Sequence, residues 1–211
     1  MLTVYGSPNT RSLRITWMLE ELAQSYHFSY IDFSKGQSQT PEFLAINPAG
    51  KIPVLVDADF VLTESAAIIS YLGDKFSQAQ LVPQAGSKNR GLYDQWCHFA
   101  MSELEQPLWT IAKHKFAIPK QYRIAQIIPT AQWEFQQALN ILSLGLGEQD
   151  YILGDHFSAA DILISHCLMW ATNQAHSISP QNLSTYLTRI KQRPALLAAI
   201  QREQSAKDSA V

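Results

Sequence analysis

The chain has 211 residues, a formal charge of -2, 46% hydrophobic residues and only 16% charged ones, enough apolar side chain to bury a sizeable core in one domain or two without covalent staples. No basic face is available to neutralise phosphates, which argues against nucleic acid as a partner. The two cysteines, Cys97 and Cys167, form no CxxC pair, so no disulfide framework is expected, and with neither a leader pattern nor eighteen consecutive apolar residues a cytoplasmic protein that spans no membrane is expected.

Leu2 to Tyr5 is a short apolar strand, and Gly6-Ser7-Pro8-Asn9-Thr10 is a turn that runs into a helix reaching about Gln24. Ile15, Met18, Leu19 and Leu22 fall on one face of that helix. Residues 28 to 33 alternate as a second strand, and so short a strand–helix–strand crossover implies parallel pairing with a right-handed connection. A polar segment, Ser34 to Thr40, precedes a short helix from Pro41, where proline suits the first turn. Ile52 to Val56 and Phe60 to Leu62 form a hairpin around Asp57 to Asp59, and Thr63 to Ser65 leads into a helix with Ile68, Ile69, Leu72 and Phe76 inward.

Residues 77 to 87 are polar, contain Pro83 and Gly86, and are expected to link the two parts of the chain. Helical patterns then run from about Lys88 to His114 and from about Ile118 to Leu142, with Gly145 and Gly147 after the second. A third begins at Ser158, shorter ones follow at 182 to 192 and 194 to 203, and the last eight or so residues are expected to fray. The expected fold is an α/β thioredoxin-like N-terminal domain (βαβ-ββα) over 1–76, a linker over 77–87 and an all-α bundle over 88–211.

Three motifs then become informative together. Asn47-Pro48-Ala49-Gly50-Lys51-Ile52-Pro53-Val54-Leu55, Leu62-Thr63-Glu64-Ser65-Ala66-Ala67-Ile68 and Gly154-Asp155-x-x-Ser158-x-Ala160-Asp161 resemble the loop before the hairpin, the glutamate-serine helix start and the buried capping motif of the cytosolic glutathione S-transferases. The chain is similar to that family along nearly its whole length, in particular to a bacterial member with the serine-type N-terminal pattern of the tau, phi and theta classes. In the family the proline at the position of Pro53 is cis. The backbone of Ile52 then faces outward and can pair with an extended peptide such as the cysteinyl unit of glutathione. Ser65 opens a helix whose first amides suit a carboxylate, and Glu64 beside it suits an ammonium. A γ-glutamyl head group carries both charges on one carbon. Glu64-Ser65 in isolation is also an ordinary helix cap. Ser158 with Asp161 is a capping box, and Phe157 with Ile162 a hydrophobic staple; that motif has a structural role.

Chemistry of this kind requires glutathione's thiol as a thiolate near neutral pH, while a free thiol ionises near ~8.5. A hydroxyl donor at the positive end of a helix lowers that value. The resemblance makes Ser7, four residues before Arg11, the donor, with Asn9 and Thr10 at the same helix entrance as alternatives. Tyr5, inside the strand, is core. Lys51 and Gln39 are expected at the glycyl carboxylate, although each is also a plausible solvated side chain. Phe99, Trp109 and His114 on the first long helix of the second domain are expected to form a wall for the electrophile, core packing being the alternative for aromatics at such spacing.

Cys97-His98 and His166-Cys167 are adjacent on helices, point about 100° apart and are expected to pack in the core rather than bind metal. No metal or cofactor is expected, with glutathione as co-substrate. The expected function is thiolate attack on a small hydrophobic electrophile by a homodimer. A glutathione-dependent peroxidase or reductase, or a non-catalytic interaction protein on the same fold, are the alternatives.

Overall fold

The computed structural model describes residues 1–210. Leu2–Gly6 (β1), Ser12–Glu21 (α1), Tyr26–Tyr30 (β2), Pro41–Ile46 (α2), Val54–Asp57 (β3), Phe60–Thr63 (β4) and Ser65–Lys75 (α3) follow in chain order. The sheet order is β2-β1-β3-β4. β1 and β2 are parallel, as the short crossover requires, and β3 runs antiparallel to both of its neighbours. This is the βαβ-ββα arrangement of a thioredoxin-like domain.

The second strand lies earlier than its alternation suggests, at 26 to 30 rather than 28 to 33. The Ile31 amide still donates to Gly6 O at 2.8 Å. Asp32 then accepts the amides of Ser34 and Lys35 and closes a turn, which leaves Phe33 half-exposed. Helix α2 starts where proline predicts, capped by Thr40 Oγ1, which accepts from the Phe43 amide at 3.3 Å. The core beneath α1 and α3 holds Val4, Ile15, Trp17, Met18, Leu19, Leu55, Ile68, Ile69 and Leu72, all fully buried. On the other side of the sheet Tyr5 packs edge-on to Phe43, ring centroids 6.0 Å apart, beside Ile31 and Val54.

From Lys88 the chain is helical. Lys88–Phe99 (α4) continues through a π-helical segment, Ala100–Glu105, into Gln106–Ala112 (α5) and a further π-helical turn, Lys113–Ala117. Ile128–Leu146 (α6), Ala159–Asn173 (α7), Gln181–Ile190 (α8) and Pro194–Asp208 (α9) follow. Residues 118 to 127, expected as the start of a helix, form two 3-10 turns instead. The Arg123 guanidinium occupies the carbonyls of Lys115, Phe116 and Ile118 and holds the chain in a loop. Gly145 lies inside α6 rather than after it, because a Cβ there would strike the Trp96 indole. Helix α9 extends to Asp208, past the expected fraying point.

The chain divides into two compact units, one made of Met1–Val82 with the segment from Lys191 onward, the other of Pro83–Ile190. The terminal helix therefore joins the first unit rather than the expected 88–211 bundle, and it packs along α1 and β2. Salt bridges from Arg193 to Glu21 and from Arg202 to Glu20 fasten it there. Among the described residues no helix is long and apolar enough to cross a membrane, and no group of three metal-ligating side chains occurs.

Candidate functional site

Sheet register brings three separate stretches of the first unit to one end. Tyr5 pairs with Val54 and Val54 with Thr63. The residues that follow β1 and β4, Gly6-Ser7 and Glu64-Ser65, therefore flank the Ile52-Pro53 peptide ahead of β3, and that peptide is cis. Residues predicted from motifs more than forty positions apart thus share one edge.

The turn after β1 is closed by its own hydroxyls. Thr10 Oγ1 and Ser12 Oγ donate to Ser7 O at 2.7 and 2.9 Å, the Ser7 amide donates to Ser12 Oγ at 3.2 Å, and the Ser12 amide donates to Thr10 Oγ1 at 3.2 Å. Gly6 is required beneath them, since a Cβ would collide with the Ser12 side chain and the Phe28 ring. Ser7 Oγ and the Asn9 side chain take no part, and neither has a hydrogen-bond partner among the described residues. Asn9 is exposed at φ 62, a left-handed conformation that asparagine tolerates better than most residues. Arg11 is half-buried at the start of α1.

At the other helix start Glu64 is exposed and also has a positive φ, 65. Such a conformation persists in a non-glycine residue only where its surroundings impose it. Ser65 is buried and its Oγ accepts from Arg14 Nη1 at 2.9 Å, so a buried guanidinium stands directly behind the first turn of α3. The Ile68 amide makes the first intrahelical bond, to Glu64 O at 2.9 Å. The amides of Ser65, Ala66 and Ala67 come before it at the positive end of the helix.

Asn47 pins the connecting loop. Its Nδ2 donates to Lys51 O at 2.7 Å and its Oδ1 accepts from the Ala49 amide at 3.1 Å. Lys51 itself is exposed. The Ile52 amide and carbonyl have no hydrogen-bond partner among the described residues, leaving one unpaired peptide unit beside the site. The Gln39 side-chain amide rests against Gly50, where a Cβ would displace it, so Gln39 and Lys51 come from adjoining loops.

Within the second unit, Phe99 packs edge-on to Trp96 at 5.3 Å and Trp109 is tilted against Trp170 at 6.5 Å. His114 Nδ1 accepts from the Ile124 amide at 3.0 Å and so ties down the 118–127 loop. Both cysteines are buried; burial pushes the Cys97 thiol up to about 12, and Cys167 Sγ lies 3.9 Å from Glu105 Oε2. The Ser158-Asp161 motif forms the expected capping box.

Sequence reasoning missed Ser12, Arg14 and Glu203. Arg14 is one turn before Met18 and so on the apolar face of α1, and Glu203 continues the Leu196–Ala199 inner face of α9. Charge on an otherwise apolar stripe was the available signal.

A thioredoxin-like sheet gathers a polar turn, a cis-proline loop and a helix start along one edge. The family model for the glutathione S-transferase N-terminal domain matches residues 1–74. The chain is 30% identical to glutathione S-transferase F10 of Arabidopsis thaliana over 92% of its length and 94% of the relative's. It is also 30% identical to the disulfide-bond oxidoreductase YfcG of Escherichia coli over 97% of its length and 96% of that protein's. The solved sphingomonad glutathione S-transferase complexed with glutathione superposes with a TM-score of 0.83 at 27% identity, covering 96% of this chain and 98% of that one. The chain belongs to the glutathione S-transferase family.

Proposed function

We propose that this protein binds glutathione at the edge where Ser7, Ile52 and Glu64-Ser65 meet, and holds its thiol as a thiolate for attack on a small hydrophobic electrophile. The observation that carries this reading is the pattern of unused donors and acceptors. Ser7 Oγ and the Ile52 peptide lack partners in the first unit, while the Ser7 backbone, the Thr10 and Ser12 hydroxyls and the Lys51 carbonyl beside them are bonded. The Ile52 peptide pairs with the cysteinyl backbone, as an added strand does. The α3 first turn, with Arg14 behind Ser65, takes the γ-glutamyl carboxylate, and Glu64 takes its ammonium. Lys51 and Gln39 meet the glycyl carboxylate. Ser7 Oγ then donates to the sulfur, which makes the protein serine-type; Asn9 is the alternative donor, because the Thr10 hydroxyl already closes the turn. Phe99, Trp109 and His114 remain the proposed electrophile wall, and the protein acts in the cytoplasm as a homodimer.

A second reading has a specific basis in the relative that is a disulfide-bond oxidoreductase. Both protein cysteines are buried, so in such a reaction glutathione's own thiolate attacks one sulfur of the substrate disulfide and expels the other as thiolate. A second glutathione then resolves the mixed disulfide, giving oxidised glutathione and a dithiol. The two readings share the activated thiolate and differ in the second substrate.

Calorimetric titration with glutathione tests the binding site, and rates with a haloarene, a small organic disulfide and an organic hydroperoxide then rank the activities. Turnover of the haloarene at least tenfold above the other two is expected. A chain that binds no glutathione at millimolar concentration overturns the proposal, and preferential disulfide turnover moves it to the second reading.

A further inference from the structure

We propose that the segment from Lys113 to Ile127 in the second unit docks this protein on an anionic lipid surface, its lysines meeting the headgroups while Phe116, Tyr122 and Ile124 enter the boundary beneath them. The inference goes beyond the proposed glutathione reaction and does not depend on it.

Charge is the first observation. No Asp or Glu lies between Glu105 and Glu134, in a chain whose formal charge is -2, and Lys113, Lys115, Lys120 and Arg123 all fall in that interval. None of the three lysines takes part in an ion pair among the described residues. The positive field reaches the residues after α7, where burial and then the Lys115 charge lower the pKa of His176. Cations gathered without acids among them attract a negative surface even when the protein as a whole is slightly acidic.

Exposed apolar side chains share the segment with those cations. Phe116 is 57%, Tyr122 65% and Ile124 54% exposed, and Ile127 follows at 37%. Side chains so far out of the protein line no pocket, and a bound small molecule would leave most of their area in water. An extended surface covers them. Nucleic acid would supply the negative charge but stacks on aromatic rings, and Ile124 and Ile127 offer none. Lysines interleaved with aromatic and aliphatic side chains are the composition of an element lying in a lipid interface.

The backbone is the third observation, because a loop enters that boundary only when its peptide groups are satisfied from within. The Arg123 guanidinium takes the carbonyls of Lys115, Phe116 and Ile118, and His114 Nδ1 takes the Ile124 amide. The amides of Ile118, Tyr122 and Arg123 donate to the carbonyls of Lys113, Pro119 and Lys120, and Pro119 has no amide to satisfy. These bonds also tie the two halves of the segment together, so Phe116 and the stretch from Tyr122 to Ile124 form one surface. Arg123 thus faces inward as a clamp and leaves the three lysines to meet the lipid.

Co-sedimentation with vesicles of phosphatidylcholine alone, and of an equal mixture of phosphatidylcholine and phosphatidylglycerol, tests the inference. The wild type should bind the mixed vesicles roughly tenfold or more tightly than the neutral ones at low salt, and added salt should weaken the binding. Lys115→Ala combined with Lys120→Ala should lose roughly tenfold or more on the mixed vesicles. Phe116→Ser combined with Tyr122→Ser should lose roughly tenfold and keep its salt dependence. Urea unfolding checks that both double variants, altered only at exposed positions, remain folded; should one not fold, the wild type on the two compositions and the other variant still decide. Equal binding to both compositions, binding to neither, or wild-type binding by the folded variants overturns the inference. So does retention of poly(U) by the lysines without vesicle binding, which assigns the cations to nucleic acid. Light scattering that shows the aromatic variant falling from dimer to monomer with vesicle binding unchanged overturns it too, because the apolar side chains then belong to a contact between copies of this chain.

Discussion

The first turns of α1 and α7 are built from the same residue types and serve opposite ends. At α7 the Asp161 carboxylate accepts from the amides of Ile152 and Ser158, each at 2.9 Å, and from the hydroxyls of Ser158 at 3.0 Å and Tyr186 at 2.9 Å. Everything in it is buried and bonded, although burial still raises the Asp161 pKa against the pull of those donors. At α1 the Thr10 and Ser12 hydroxyls close the turn in the same manner, but Ser7 Oγ and the Asn9 amide are left over. A closed cap stabilises; a cap with donors to spare can bind. The difference is visible only when every polar atom is followed to its partner.

Breaking the closed cap should have the largest effect. Asp161→Ala leaves two buried amides unpaired and the Tyr186 hydroxyl with only the carbonyl of residue 161, 3.5 Å away, and should cost about 3 kcal/mol or more of stability. Urea unfolding measures it, and a loss below about 1 kcal/mol removes the contrast on which the comparison depends.

The Glu203 carboxyl gives a pH signature in the first unit. Its folded pKa, about 8, lies above its ordinary 4.5, so between those values the unfolded chain has lost the proton that the folded one keeps. The contribution of this group to stability is therefore greatest below about pH 4.5 and falls as pH rises toward about 8. Relative to Glu203→Gln, the wild type should lose on the order of a few kcal/mol across that window. Parallel stability curves for the two proteins would refute it.

Glu64→Ala should weaken glutathione binding by ~2 to 3 kcal/mol, because the ligand's ammonium loses a charge-assisted partner. Glu64 is exposed, so the fold should survive. Unchanged calorimetric affinity in the folded variant would place the head group elsewhere.

Smaller again, and sharper, is Ser7→Ala. It should leave glutathione affinity within a few fold and raise the bound thiol by roughly one to two pKa units, ~1.4 kcal/mol for each. Turnover lost at neutral pH should partly return in alkali. An unshifted titration here with a shifted one in Asn9→Ala transfers the donor role to Asn9. Thr10→Ala should instead act through the turn, lowering stability by about 1 kcal/mol.

Much of the candidate site was legible along the chain because its signals are local. The Asn47-to-Leu55 loop, the Glu64-Ser65 helix start and the turn at Ser7 each carry their meaning within a few residues, through proline, glycine or a cap. Where the sequence misled, a side-chain contact without a sequence signature had intervened, from within the segment or from far along the chain. The Arg123 guanidinium converts an expected helix start into a loop, and the Trp96 ring makes Gly145 a packing position rather than a helix stop.

The sequence by itself determined the order of strands and helices, the glutathione-type motifs and the identities of the groups at the sheet edge, since periodicity, caps and turn residues act over one or two turns of chain. Only the tertiary structure decided which of those groups are already satisfied and which are free for a ligand. The bond from Arg14 to Ser65 spans 51 residues and that from Thr16 to Glu203 spans 187. Such pairings have no local signature, because they exist only once the sheet register and the docking of α9 on α1 bring the partners within 3 Å.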